Sequence, residues 1–175
     1  MTYGLIYADP PWRYANMDVQ GNPENHYPTM DLKDICDLKI ETDKDAVLAL
    51  WATAPLLPEA LEVMKSWGFT YKTCMVWDKE RLGLGYWVRG QHEILMFGTK
   101  GKPKVPEVAA RPRSVHRCKS GKHSQKPYTF YDILEKMFPE VKRLEMFARY
   151  DDKLFRPGGW DIWGNQATND TPETL

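Results

Sequence analysis

The sequence predicts an α/β fold, a mainly parallel sheet with helices on both faces. Two observations point there. Short apolar, β-prone runs recur at 3–8 (YGLIYA), 46–51 (AVLALW), 71–77 (YKTCMVW), 93–99 (EILMFGT), 143–148 (RLEMFA) and 160–163 (WDIW). Segments with apolar residues at helical spacing alternate with them, and strands alternating with helices imply parallel pairing covered on both faces.

The elements follow in order. After the first strand, 13–29 is polar and rich in Gly, Pro and Asn, so it reads as a long loop, and loops of that length in a compact domain tend to be functional. The run 46–51 is a second buried strand. Pro55 opens a helix with Leu57, Leu61 and Met64 on one face, ending at Trp67-Gly68. Strands at 71–77 and 93–99 come next. The stretch 100–125 has no apolar period and is expected to be an irregular, mobile, basic loop. Pro127 starts another helix, with Phe130, Leu134, Met137 and Phe138 on one side. Two further strands, 143–148 and 160–163, bring the set to about six, and the polar residues 167–175 read as a frayed tail. With no internal repeat and no linker, the expectation is a single domain over 1–175.

Composition excludes several classes. Hydrophobic residues at 42% and charged residues at 27% are the balance of a folded soluble chain rather than a disordered one. The formal net charge is zero, which argues against a protein that coats nucleic acid non-specifically. The charge is unevenly placed, however: between Lys100 and Lys126, nine Lys and Arg face Glu107 alone. Such a run is either a solvated surface or a phosphate-contacting loop that orders on binding, with Arg111, Arg113 and Arg117 as the candidate contacts. Cys36, Cys74 and Cys118 are scattered and odd in number, which fits a reducing cytoplasm without disulfides. No signal peptide or membrane span is read from the chain. His116, Cys118 and His123 supply at most three ligands without a Cys-x2-Cys partner, so no metal is expected. His92-Glu93 reads as the start of the fourth strand, with His92 near a site mouth, rather than as an acid/base pair.

The most informative residues are Asp9-Pro10-Pro11-Trp12. They follow a buried strand, where open α/β sheets hold ligands. Two prolines remove two backbone donors, leaving local carbonyls short of N–H partners. A carboxylate, a carbonyl and a flat ring suit a planar base with an exocyclic amine. Such a nitrogen is a poor nucleophile because its lone pair is delocalised. If Asp9 and the Pro10 carbonyl accept its two N–H groups, the lone pair is released, and the carboxylate stabilises the positive charge that develops on attack at a methyl group. Trp12 would stack on the base and fix its angle. Inside a duplex the atom is out of reach, which implies a single-stranded or flipped base. The plainer alternative is a strand-ending turn with a buried Trp.

Six motifs in order extend this reading: Ala8-Asp9-Pro10-Pro11-Trp12, Tyr27-Pro28-Thr29-Met30, 85–93 (GYWVRGQHE), His123-Ser124-Gln125-Lys126-Pro127, Glu145-Met146-Phe147-Ala148-Arg149 and Trp163-Gly164-Asn165-Gln166. With them the chain resembles the MT-A-seventy family of S-adenosylmethionine-dependent adenine-N6 methyltransferases over nearly its whole length. That family includes the catalytic subunit of the eukaryotic messenger-RNA N6-adenosine methyltransferase and many bacterial and phage members.

The resemblance implies a Rossmann-like sheet whose catalytic half precedes its cofactor half, with S-adenosylmethionine as methyl donor. It implies Asp9, Pro10, Pro11 and Trp12 at the chemistry. It implies Ala8, Asp9, Lys126, Phe147, Arg149, Asn165 and Gln166 at the cofactor. Lys126 would pair with its carboxylate, Asp9 would lie near its ammonium, and Arg149, Asn165 and Gln166 would contact ribose and adenine. On the substrate side it adds Tyr27, Arg89 and His92 to Trp12 and the three arginines of the basic stretch; Tyr14 is a weaker candidate.

Two departures bear on the cofactor. The family often contributes an Asp and an apolar residue from a segment before the first strand, contacts expected here to be absent or replaced. Asp151-Asp152 stand where a His-Asn pair is usual. A compact chain resembling bacterial and phage members favours DNA over RNA as substrate. The rivals are a catalytically inactive nucleic-acid-binding partner and a cytosine-N4 or glutamine-amide methyltransferase. Such rivals usually lose the Asp or the lysine, or carry Ser or Asn before Pro-Pro. Homodimer and heterodimer both stay open.

Overall fold

The computed structural model describes residues 1–13, 29–83, 85, 87–119, 125–148 and 159–164. Among the described residues, seven strands form one sheet in the order β5-β3-β4-β2-β1-β6-β7. They are β1 (Tyr3–Ala8), β2 (Thr42–Ala52), β3 (Thr70–Asp78), β4 (His92–Lys100), β5 (Val115–Arg117), β6 (Arg143–Met146) and β7 (Trp160–Trp163). The helices are α1 (Leu32–Asp37), α2 (Leu57–Ser66) and α3 (Thr129–Met137).

Pairing is parallel for β1 with β2 and β6, for β6 with β7, and for β3 with β5. Only β4 runs antiparallel, against both β2 and β3. The sheet is therefore mixed and mostly parallel, as the alternation of strands and helices predicts. All six residues of β1 are buried, because helices cover both faces of the sheet.

Side chains alternate across the sheet and build two cores. Ile6, Ala8, Leu48 and Leu50 face α1 and α2 through Ile35, Ala60, Val63 and Met64. Leu5, Tyr7, Val47, Trp51, Trp77 and Leu95 face α3 through Phe130, Tyr131 and Leu134. Gly98 on β4 makes room for α2, since a Cβ there would lie 2.7 Å from the Met64 sulfur.

Two sequence expectations need correction. On α2 the buried stripe is Ala60, Val63 and Met64, whereas Leu61 is exposed. A short 3-10 turn at Ala54–Leu56, with Leu56 buried, precedes the helix, which starts at Leu57 rather than at Pro55. The basic stretch is also more regular than expected. Residue 100 closes β4, 108–110 form a 3-10 turn, and 115–117 form the edge strand β5. Three residues are too few to show a period in sequence; β5 exists because the edge of β3 offers it hydrogen bonds. The segments 14–28, 120–124 and 149–158 and the tail 165–175 lie outside the described residues, and with them Tyr14, Tyr27, His123, Arg149, Asn165 and Gln166.

The chain leaves β1 toward β2 on one side of the sheet and leaves β6 toward β7 on the other. The carboxyl ends of β1 and β6 thus flank a topological switch point, where open α/β sheets hold ligands. Asp9 is the first residue past β1. Among the described residues, no helix is long and apolar enough to cross a membrane.

Candidate active site

The turn after β1 is held at three points. The Pro10 carbonyl accepts the Trp12 N–H at 2.8 Å, and the Pro11 carbonyl accepts the Met30 N–H at 2.9 Å. The Trp12 indole N–H donates to the Trp51 carbonyl at 3.2 Å. Two expectations change here. The carbonyls already have N–H partners, supplied by Trp12 itself and by Met30 across the loop, although each keeps a second lone pair. The Trp12 ring is 7% exposed and belongs to the α1/α2 core, so it anchors the turn rather than presenting a plate to a ligand. Ala8 is also fully buried, packed in the α1/α2 core.

The Asp9 side chain is different, 41% exposed at the strand end. One of its oxygens lies 2.6 Å from the Lys126 ammonium, which is 9% exposed. Lys126 stands three residues before α3; the Pro127 carbonyl accepts the Phe130 N–H and starts that helix. The ammonium also reaches Glu93 Oε2 at 3.3 Å and lies 5.3 Å from the centre of the Trp51 ring. Glu93 Oε1 in turn accepts from Lys79 at 3.0 Å.

Asp9, Lys126, Glu93 and Lys79 thus form a chain of alternating charge across the carboxyl end of the sheet. Burial opposes the charge on Lys126, but Asp9 and Glu93 overcome it and push its pKa up to about 12. Burial likewise opposes ionisation of Glu93, and the Lys126 and Lys79 ammoniums together hold its pKa below the usual carboxylate value. Below this chain, Trp51 Nε1 donates to the Tyr7 hydroxyl at 2.7 Å, and the Tyr131 hydroxyl donates to Glu145 at 2.8 Å. Burial pushes both phenols well above their ordinary pKa, so they act as fixed neutral groups.

Glu93 and Lys79 escaped the sequence reading. A signal existed for Glu93: it shares the alternation of Leu95 and Phe97, both buried against α3, so a carboxylate at that position points into the covered face. Such a group needs a cation. Lys79 lies just past β3 and carries no comparable signal.

On the other side of the switch point, Phe147 follows β6 with φ of +64°, a left-handed backbone that bulky residues rarely adopt. Its ring packs edge-on to Trp163 at 5.4 Å, while Ala148 N–H donates to the Trp163 carbonyl at 3.0 Å. A Cβ on Gly164 would lie 2.6 Å from the Ala148 carbonyl oxygen, so only glycine lets the ends of β6 and β7 approach this closely. Strain of this kind collects where a site over-determines the backbone.

The substrate-side candidates scatter. His92 is exposed at the start of β4, next to Glu93. Arg89 Nε donates to the Gly83 carbonyl at 2.5 Å, bracing the loop between β3 and β4. Arg117 pairs with Asp78 at 3.0 Å, at the carboxyl end of β3. Arg111 donates to the Pro106 carbonyl, and the Arg113 carbonyl lies 2.7 Å from His116 Nε2. Lys100 sits at the opposite end of the sheet, paired with Ala46 and bonded to Thr42. Among its described residues, the basic stretch thus reaches from Lys100, at the end of the sheet opposite Asp9, to Lys126, which is bonded to Asp9. His116 packs on Phe130, and the Cys118 carbonyl accepts from Trp77; no metal-ligand cluster occurs among the described residues.

Comparison with known proteins fits this arrangement. The MT-A70 family model matches residues 3–166. The Type II methyltransferase M.MunI of Mycoplasma sp is 34% identical over 183 residues, covering 93% of this chain and 76% of that protein. An N(6)-adenosine-methyltransferase MT-A70-like protein of Arabidopsis thaliana is 29% identical over 94% of this chain and 24% of its own length. The human N(6)-adenosine-methyltransferase catalytic subunit METTL3 is 26% identical over 94% of this chain and 28% of its own length. The chain thus spans most of the bacterial relative and about a quarter of the plant and animal ones. A match across nearly the whole chain, on a sheet with its acidic residue at the switch point, means that this protein belongs to the MT-A70 family of methyltransferases.

Proposed function

We propose that the protein transfers a methyl group from S-adenosylmethionine to the N6 amine of adenine in nucleic acid, with DNA as the substrate. The observation that carries this reading is the half-exposed Asp9 carboxylate, held by a buried Lys126 at the strand switch point. The bacterial relative, matched over most of its length, favours DNA.

The residues present fit that cofactor by their chemistry. Asp9 and Lys126 are an acceptor and a donor of opposite charge, complementary to an ammonium and a carboxylate on one methionine moiety. Lys126 has three N–H donors, and Asp9 and Glu93 take two of them. The anion would also lie near the N-terminus of α3, where the helix dipole favours negative charge. Phe147 and Trp163 offer an apolar wall on the far side. When bound, the cofactor supplies an electrophilic methyl group on its sulfonium.

Asp9 accepts an N–H of the adenine amine and turns the nitrogen's lone pair toward that methyl. As the C–N bond formed and the methyl–sulfur bond broke, its electron pair staying on sulfur, positive charge would grow on the nitrogen beside a fixed carboxylate, which would stabilise it without reorganisation. The proton lost by the nitrogen would pass along the N–H that Asp9 accepts and on to water, which the 41% exposed carboxylate meets. Lys126 and Glu93 keep Asp9 from rotating away, and Trp12 fixes the turn through its bond to Trp51. The intact Asp9–Lys126 pair speaks against an inactive partner.

The test is incubation with isotopically labelled cofactor and matched single- and double-stranded DNA and RNA, followed by nucleoside mass spectrometry. Labelled N6-methyldeoxyadenosine is expected. Label on cytosine N4, or on no nucleoside, would contradict the reading.

A further inference from the structure

The loop between β3 and β4 carries an indole that no packing explains. Trp87 is 99% exposed and Val88 beside it 76%, whereas Trp12, Trp51, Trp67, Trp77 and Trp160 are all buried. A fully wetted indole is costly surface for an isolated chain, and large exposed apolar groups mark interaction sites.

The loop under it is braced. Lys79 N–H donates to the Gln91 carbonyl at 2.8 Å and Gly83 N–H to the Gly90 carbonyl at 2.7 Å. Arg89 Nε closes on the Gly83 carbonyl, and Gly85 packs against the Val88 carbonyl with no room for a side chain. At the base, the Asp78 carboxylate accepts from Glu80 N–H, Gln91 Nε2 and Arg117 Nε. The ring is thus held out on a defined turn, which lowers the ordering cost of binding.

Position and charge say what it meets. The loop springs from Lys79 and leads into Glu93, both members of the charge chain that ends at Asp9. Six residues of extended chain span at most roughly 20 Å, so Trp87 lies within one short stretch of nucleotides of the site. Lys79, Arg81 and Arg89 share the loop with a single acid, Glu80, and Arg117 lies across β3. An exposed indole on a loop that carries more Lys and Arg than acid matches single-stranded nucleic acid, where bases stack on rings and phosphates meet Lys and Arg. Trp and Arg also occur in protein–protein interfaces, where Lys is depleted, so the charge-chain neighbourhood of the loop and the oligomeric-mass measurement below decide between the two.

We propose that Trp87 is a stacking platform for a base flanking the target adenine, with Arg81 and Arg89 on the adjoining phosphates. This rests on the nucleic-acid methyltransferase reading and adds a substrate-positioning residue to it.

The experiment compares wild type, Trp87→Ala, Trp87→Phe and Trp87→Leu on a labelled single-stranded DNA twelve-mer with one adenine, by fluorescence anisotropy and by methyl transfer. Exposure of Trp87 means that all variants should keep the wild-type melting temperature. Ala and Leu are expected to weaken binding about ten-fold or more, and Phe to stay within about three-fold, since base–aromatic stacking needs a ring face. The same DNA should shield from acrylamide a fluorescence component that Trp87→Phe lacks. Unchanged affinity and turnover in Trp87→Ala would overturn the proposal, as would a Leu variant equal to Phe. A change in oligomeric mass in Trp87→Ala would also overturn it, by making the ring a protein contact. Wild-type turnover alone tests the functional reading, so the two failures are distinguishable.

Discussion

The Lys126 ammonium lies 2.6 Å from a carboxylate oxygen of Asp9, across 117 residues of chain. One partner ends the first strand and the other precedes the last helix, so the pair forms only when α3 packs on the sheet. It ties the fold to the site, and most of the predictions below follow from it.

Lys126→Met should lower stability by on the order of 2 kcal/mol. That is less than the roughly 3–5 kcal/mol of a broken buried pair, because Lys79 still holds Glu93 and Asp9 reaches solvent. Binding of S-adenosylmethionine, measured by calorimetry, should fall at least about ten-fold. Denaturant unfolding alongside it separates lost affinity from lost fold.

The pH dependence of that stability difference follows from the two shifted groups. The Glu93 pKa is depressed, so its contribution is complete above the ordinary value of 4.5 and is lost as pH falls through the folded value. The Lys126 pKa is raised, so its contribution is complete below 10.5 and is lost as pH rises through about 12. The gap in unfolding free energy between wild type and Lys126→Met should be flat from about pH 5 to about pH 10 and shrink on either side. A gap that varies steeply near pH 7 would contradict the assignment.

Trp12→Phe separates anchoring from stacking. It keeps a flat ring and deletes the bond to the Trp51 carbonyl, which should cost about 1 kcal/mol and leave kcat within a few-fold of wild type. Trp12→Ala should cost about 3–5 kcal/mol as a core cavity. A Phe variant that unfolds normally but loses turnover a hundred-fold would restore the stacking role.

These results also mark how far the sequence reaches. Asp9 and Lys126 were legible because their neighbours are informative: an apolar strand before Asp9, and a proline-led helix after Lys126. The strand runs located six of the seven strands among the described residues: β1 and most of β2 and β4 are buried and leave apolar runs, while β3 and β7 show through their β-branched and aromatic residues. Trp12 misled because a tryptophan beside two prolines looks the same in sequence whether its ring faces a ligand or a core. The Pro10 and Pro11 carbonyls looked short of donors because one donor comes from Met30, far along the chain. Glu93 was missed because its partner Lys126 arrives from another element, and no local pattern records that.

Gly164→Ala tests the close approach of β6 and β7. The added methyl meets the Ala148 backbone, which cannot give way as a flexible side chain would. Overpacking of about 1–3 kcal/mol is expected in urea unfolding, with weaker binding of S-adenosylmethionine. Unchanged affinity would place the cofactor away from this edge.

The most direct test of the central claim is Asp9→Asn, read by nucleoside mass spectrometry of DNA and by calorimetry of S-adenosylmethionine binding on the same preparation. The account predicts a fall in N6-methyldeoxyadenosine formation of about 10²–10³-fold, as when a preorganised electrostatic group is removed. Cofactor affinity should drop far less. Wild-type yields of methylated adenine from the Asn variant would contradict it.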